Sequence, residues 1–564
     1  MLFSRRLVFR SSIHSQLHVI CRTMSGPSDD IIEQIVCKES DITNNGMQEF
    51  EVGNNGNKVL IVKQKNEFYA LGSKCSHYGA PLVKGALGDG TVRCPWHGAC
   101  FNLKTGDIED YPGLDSIPSF KVTVTNGNVK VSVKKCALEN SKHVKPLTKR
   151  NLENKCTFVV VGCGPAGTCC AEKLRQEGFD GRLIMITKEN YLPYDRTKLS
   201  KALSADVNSI LLRSQEFYNS GNVEVLTKTT IESIDTNKKI IYLSNNEPIS
   251  FDAMFIASGM TPRSTPEVSK YDNVFTLRTV DNANKISQSL SSDCHLVIIG
   301  TSFIGMEVAA AAKAKVKSVH VIGRSDVPFK ESLGTEMGER VQELFESKGV
   351  VFHMKASVKN YIGYNNRLSE IELADGQKLK ADVCIMATGS KTNTEFLSGS
   401  GITLNPSNGT IEVDENLETN VEGIFSGGDV ANAPVYSANT KASLGHWQLA
   451  TYHGKIAALQ MLGKKTPIKS VPFFWTALFG TSIRFAGYNR GYTDVIINGD
   501  LENLKAVIYY CKGNDVVAVA TVGSDPIAAQ FADLLRSGKT LNKNQAIDNK
   551  WLTEEEDAVM CTRL

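Results

Sequence analysis

No Cys-x-x-Cys pair occurs anywhere in this chain, which excludes a dithiol relay of the simplest local kind. No uninterrupted apolar stretch reaches the ~18 residues of a membrane-spanning helix. Lys+Arg 63 against Asp+Glu 60 leaves a formal charge of +3, so no global imbalance points to nucleic acid. The 14 cysteines stand singly or as the adjacent pair Cys169-Cys170. That is not the dense framework of a small secreted protein, and most of them read as reduced thiols. Acidic residues are missing before Asp29, while Arg5, Arg6, Arg10 and Arg22 lie among serines. An Arg- and Ser-rich, acid-poor start is the composition of a mitochondrial presequence, so residues 1–30 are expected to be targeting or disordered sequence, with mitochondrial localisation. Met24 offers an alternative start that would omit it.

What is present divides 564 residues into several expected domains, because single cores rarely grow beyond ~250–300 residues. The organising stretch is Phe158 to Gly167, FVVVGCGPAG. Four apolar, mostly β-branched residues predict a buried strand, and Gly162, Gly164 and Gly167 follow at Gly-x-Gly-x-x-Gly spacing before a helix. The first glycine permits the tight turn, the second lets backbone approach a pyrophosphate, and the third lets helix pack on strand. The helix N-terminus adds free N–H groups and partial positive charge. This is read as the FAD site. After the next strand, Arg182 to Thr187, an acid is expected on the adenosine ribose; Lys188 aligns there and Glu189 follows, so Glu189 is the candidate.

A second copy of the pattern begins at the strand His295 to Ile299 and continues as Gly300-Thr-Ser302-Phe-Ile-Gly305. It predicts a nicotinamide dinucleotide site, with Ser302 in place of the middle glycine. After the strand Ser318 to Ile322 the chain reads Gly323-Arg324-Ser325, with no acid before Asp326. Arg324 can pair with a 2′-phosphate that a carboxylate would repel, which leans toward NADPH, or it can stack on adenine and leave both nucleotides usable.

Upstream, alternating segments such as Lys58 to Gln64 and Phe120 to Thr125, separated by Asn/Gly turns, predict a small all-β domain. Inside it lie Cys75-Ser-His77 and Cys94-Pro-Trp-His97, sixteen residues apart. Two thiolates and two imidazoles on tight loops can hold one metal centre, and zinc accepts the same ligands. The fuller strings CSHYGAPL and CPWHGACFN resemble the Rieske family, in which two cysteines bind one iron of a 2Fe-2S cluster and two histidines the other. Ala80 and Trp96 replace the extra cysteines of the respiratory branch, and Ala99 removes a hydroxyl donor. The resemblance therefore implies a ferredoxin type of low potential, roughly −150 mV.

The string LPYDRTKLSK (Leu192 to Lys201), Ala257-Ser-Gly259, Ala387-Thr-Gly389, SGGDVA (Ser426 to Ala431) and HWQLATYHG (His446 to Gly454) resemble the ferredoxin-reductase branch of the pyridine-nucleotide oxidoreductases. With the Rieske-like segment in front, the chain is similar to the apoptosis-inducing factor family. That resemblance implies that Arg196 and Lys201 lie beside the flavin, Arg263 helps hold FAD, Asp429 accepts from the ribityl chain, Trp447 borders the isoalloxazine and Glu307 lies near the nicotinamide. Lys201, Glu307 and Trp447 are the candidate catalytic residues.

The expected architecture is multidomain. A Rieske 2Fe-2S domain (31–134) and a linker (135–155) precede an FAD-binding domain (156–267 and 400–470), into which an NAD(P)-binding domain (268–399) is inserted. A C-terminal α+β domain (471–564) follows. The linker is polar and basic, either a flexible coil spanning roughly 25 Å or an ordered strap. The aromatic stretch VPFFWTALFGTSIRFAGY reads as ordinary core, with a homodimer contact or a membrane surface as alternatives. The expected function is transfer of electrons from NAD(P)H through FAD to the cluster and on to an unnamed acceptor, with no transmembrane segment and no clear nucleic-acid binding. The rival reading is a cell-death signalling protein that uses the flavin as a redox switch.

Overall fold

The computed structural model describes residues 31–244 and 247–552. The presequence-like residues 1–30 lie outside the described residues.

The cysteine–histidine segment folds as two antiparallel sheets. One has six strands in the order Ile31–Lys38, Asn128–Lys134, Ser119–Thr125, Glu67–Gly72, Lys58–Gln64, Gly46–Glu51. The other has four short strands, Ala86–Gly88, Thr91–Arg93, Cys100–Asn102 and Ile108–Asp110. Val59 to Val62 and the alternating Val129, Val131 and Val133 are buried, so β-branched side chains fill the space the pleat leaves.

Two five-stranded parallel sheets follow. The first runs Val223–Leu226, Arg182–Ile186, Thr157–Val161, Ala253–Ile256, Ile424–Ser426. Its last strand arrives some 170 residues after its neighbour (Ser426 Oγ donates to Ile256 O) because a second unit is inserted between them. That unit carries the order Val274–Phe275, Val383–Met386, His295–Ile299, Ser318–Ile322, Val350–His353. Both central strands are apolar throughout their buried length, as strands covered on two faces must be. The antiparallel pair Met260–Pro262 and Ser390–Thr392 forms the double crossing between the units. The C-terminal part is a six-stranded antiparallel sheet closed on one side by the helix Ile527–Arg536.

Residues 135–155 form an ordered strap, the second of the two arrangements their polarity allowed. Backbone bonds join His143 and Ser116 in both directions (2.9 and 3.1 Å). Lys142 pairs with Asp115 (3.3 Å) and Lys145 with Asp107 (2.7 Å) in the cysteine–histidine domain. Farther on, Arg150 pairs with Glu224 (3.3 Å) and Asn151 N donates to Asp180 O (2.7 Å) in the first dinucleotide unit. Lys142, Lys145, Arg150 and Asn154 thus spend their polar groups on partners in the two flanking domains.

Candidate functional site: a redox cavity beside a paired-ligand centre

The two ligand loops are built alike. Cys75 N donates to Ala80 O (2.9 Å) and Gly79 N to Cys75 O (2.9 Å), while Cys94 N donates to Ala99 O (2.7 Å) and Gly98 N to Cys94 O (3.3 Å). Each loop thus presents a cysteine and a histidine in the same direction. His77 Nδ1 and His97 Nδ1 face each other at 3.2 Å, and the Cys75 and Cys94 sulfurs pair as hydrogen-bond partners. Among the described residues, no three His, Cys, Asp or Glu side chains converge on a point where one ion could sit. A tetrahedral zinc needs four donors around one point. Donors grouped two sulfurs and two nitrogens fit a binuclear cluster instead. Burial holds both imidazoles neutral, with His77 lowered to about 4 and His97 to about 2, which leaves their lone pairs available. The missing Ala99 hydroxyl is partly made up by backbone: the amides of His77 and Tyr78 face the Cys75 sulfur, and those of Trp96 and His97 face Cys94.

The glycine turns have the geometry their spacing demands. Gly162 has φ +98°, and a Cβ there would stand 2.3 Å from Ala257 O; one on Gly167 would stand 1.8 Å from Gly162 O. A Cβ on Gly164 would meet nothing within 4 Å, so its bare backbone faces open space at the start of the helix Pro165–Gln176. Free N–H groups at a helix start beside such a space would suit an anion such as a pyrophosphate. Gly300 (φ +116°) and Gly305 repeat the arrangement against Ala387 O and Gly300 O, with Ser302 as N-cap of the helix Phe303–Ala312. Glu189 and Arg196 form a half-buried ion pair, Tyr194 donates to Glu189 (2.6 Å), and Arg196 also reaches Arg278 O (3.0 Å). Burial alone would raise the Glu189 pKa, but Arg196 and Tyr194 outweigh it and hold the carboxyl ionised.

A cavity of about 630 Å³ opens where the two dinucleotide units meet the C-terminal domain, within the range of small-ligand and cofactor sites. Lys201, Glu307, Asp429 and Trp447 line it. Lys201 Nζ lies 3.0 Å from Glu307, and the buried Glu307 also accepts from Ser200 and from Thr476 (2.8 Å). Asp429 lies 3.6 Å from Arg278. Trp447 Nε1 donates to Pro112 O of the ligand-loop domain (3.0 Å), tying the cavity wall to that domain. The buried His446 Nδ1, also on the cavity wall, has no partner among the described residues, and burial lowers its pKa to about 4.

Four proposed side chains do not join this wall. Glu189 and Arg196 face each other and Tyr194 instead. Arg263 is exposed at the crossing strands, its Nε donating to Ser390 O (3.0 Å), because the β-pair aims it outward. Arg324 is exposed beyond the strand Ser318–Ile322. The residues missed from sequence are Phe474, Trp475 and Tyr78. The aromatic stretch read as ordinary core is only partly so: Phe473 and Phe485 are buried, but Phe474 and Trp475 line the cavity. Trp475 reaches further, its ring meeting the His97 ring at 4.5 Å between centroids. Nearby, Arg484 Nε donates to Trp96 O (3.0 Å), holding the second ligand loop against the same sheet.

Family models match three stretches: pyridine nucleotide-disulphide oxidoreductase over residues 157–454, the Rieske [2Fe-2S] domain over 33–121, and the reductase C-terminal domain over 473–553. The chain belongs to the pyridine nucleotide-disulphide oxidoreductase family, as an NAD(P)H-dependent oxidoreductase whose cofactors are FAD, a 2Fe-2S cluster and NAD(P)H. Among named proteins it is 40% identical to apoptosis-inducing factor 3 of Homo sapiens, over 93% of this chain and 89% of that one. It is 30% identical to the ferredoxin–NAD(+) reductase subunit of the benzene 1,2-dioxygenase system of Pseudomonas putida, over 64% of this chain and 88% of the relative. In structure it is similar to putidaredoxin reductase in its covalent complex with putidaredoxin, with TM-score 0.67 and 25% identity over 69% of this chain and 95% of that one.

Proposed function

We propose that this chain is a ferredoxin reductase with its ferredoxin built in, passing electrons from NAD(P)H to its own Rieske centre and then to an external acceptor. The observation that carries this is Trp475, which lines the cofactor cavity and touches the cluster ligand His97. When bound, the nicotinamide supplies a hydride, the flavin converts that pair into single electrons, and the cluster carries them one at a time. The chain's own residues position these groups. Gly164 bares its backbone to one pyrophosphate, with Gly162 and Gly167 shaping the turn and the helix packing around it, and Gly300 and Gly305 shape the second turn in the same way. Glu307 holds the Lys201 ammonium at the cavity wall, where it would stabilise negative charge on a reduced ring. Asp429 accepts from ribityl hydroxyls, and Trp447 excludes water along one side. Cys75, His77, Cys94 and His97 hold the cluster. The arginine-rich start supports a mitochondrial address for the enzyme.

Anaerobically purified protein should contain iron and acid-labile sulfide in equal amounts, with no zinc. His97→Ala should lose the cluster signal while NAD(P)H still bleaches the flavin. Loss of bleaching in the folded variant would reverse the proposed order of carriers.

A further inference from the structure

The edge of the ligand-loop domain is divided between two aromatic contacts. His97 faces Trp475 and, through it, the cofactor cavity. His77 also lies near Trp475, at 5.9 Å, but its closer ring contact is Tyr78, stacked at 4.0 Å between centroids and 21° between planes. Tyr78 is 45% exposed, and its hydroxyl donates to Asp195 (3.2 Å), which fixes the ring. Tyr78 also lines a second cavity, of about 480 Å³, which shares Thr197, Lys201 and Trp475 with the first.

This second cavity is open, and between 202 and 209 its floor is made mostly of small side chains. Its wall carries Lys198, Lys201 and Asp206; Lys201 is paired with Glu307, and the Asp206 carboxylate caps Asn208 in its own loop. Lys198 has no carboxylate within salt-bridge distance among the described residues, and its Nζ lies 6.0 Å from the Tyr78 ring centroid. The cysteine–histidine domain is held in its seat by the buried Arg93–Asp533 contact, the Trp447–Pro112 bond and the Arg484–Trp96 bond. The cavity beside the exposed Tyr78 ring has the volume for a small molecule with that seat left intact.

We propose that the second cavity is an acceptor site, taking a small anion that accepts one electron through the Tyr78 ring from the His77 side of the cluster. The proposal rests on the reading that electrons reach the cluster from the flavin. For each NAD(P)H oxidised, two acceptor anions each gain one electron and one negative charge. One proton is released to solvent, and no bond to the acceptor forms or breaks.

The test uses the full-length holoenzyme with two anions of the same shape: reducible ferricyanide and redox-inert hexacyanocobaltate(III). Hexacyanocobaltate should bind by calorimetry and compete with ferricyanide. Lys198→Glu should weaken that binding, and lower kcat/KM for ferricyanide, by about tenfold or more. It should leave reduction of the cationic hexaammineruthenium(III) undiminished, together with NAD(P)H bleaching of the flavin. Unchanged hexacyanocobaltate affinity in Lys198→Glu would overturn the site, as would ferricyanide reduction that persists at full rate in cluster-free His97→Ala. If stopped-flow mixing instead showed the flavin reduced and the wild-type cluster still oxidised, the electron path of the previous section would be what failed. Calorimetry would then still decide whether the anion binds here.

Discussion

Gly164 and Gly167 stand in one turn with opposite surroundings, and the difference separates binding from folding. A methyl on Gly167 would stand 1.8 Å from Gly162 O, so Gly167→Ala must push the helix off its strand. Overpacking of this kind costs roughly 1–3 kcal/mol, and a lowered Tm of the apo protein is expected. Gly164→Ala meets nothing within 4 Å. It should leave the apo Tm nearly unchanged while FAD is retained more weakly, read as flavin content after gel filtration. Arg324 makes a second contrast. Exposed after the strand Ser318–Ile322, it is free to meet a 2′-phosphate, so Arg324→Ala should lower kcat/KM for NADPH on the order of tenfold and leave NADH nearly unaffected. Equal losses would mean that the side chain holds something both nucleotides share. The glycines and the Cys–His pairs were legible because their chemistry lies within ten residues of chain. Trp475 and Tyr78 were not, since each acquires its role only from a ring brought in from another domain.

At the scale of elements, the helix Pro165–Gln176 and the residues after the helix Trp447–Met461 are joined by one carboxylate. Glu177 pairs with Lys464 (2.7 Å) and Lys173 (2.9 Å). Partial burial would raise its pKa, but the two lysines outweigh that and bring it from 4.5 to about 2. A carboxylate depressed in the folded state contributes stability that is fully present above its unfolded pKa and is lost as pH falls through the folded one. Wild type should therefore exceed Glu177→Gln in Tm at neutral pH, and the gap should close as pH falls from 4.5 toward 2. A gap independent of pH would show that the carboxylate's charge is not what joins the helices. The central strands were readable because β-branched runs report burial directly. The strap was not, because its polarity is the same whether water or Asp115, Asp107 and Glu224 receive its side chains.

For the whole molecule, the decisive contact is Arg93, fully buried one residue before Cys94. It donates to Gly98 O (2.9 Å) in the ligand loop, to Asp110 (2.8 Å) in the same domain and to Asp533 (2.8 Å) in the C-terminal helix. Removing the cation would leave two carboxylates buried without it, so Arg93→Met should cost about 3–5 kcal/mol and release the domain, detected as faster proteolysis of the strap. Asp533→Asn should be far milder. An amide oxygen can still accept from Arg93 Nε, and burial, which raises the Asp533 pKa even beside Arg93, already opposes the charge that the substitution removes. Comparable losses in both variants would contradict this. Arg213, paired with Asp115 (2.6 Å) and Glu172 (2.9 Å), makes a further charged link between the ligand-loop domain and the first dinucleotide unit. The strap then changes the kinetic order of the hand-over. A separate ferredoxin must be met by diffusion, at a rate set by its abundance and by the salt that screens the approach. On the proposed path reductant and carrier are one particle, so internal transfer would be first order, indifferent to dilution, and as fast in a single molecule as in a concentrated solution.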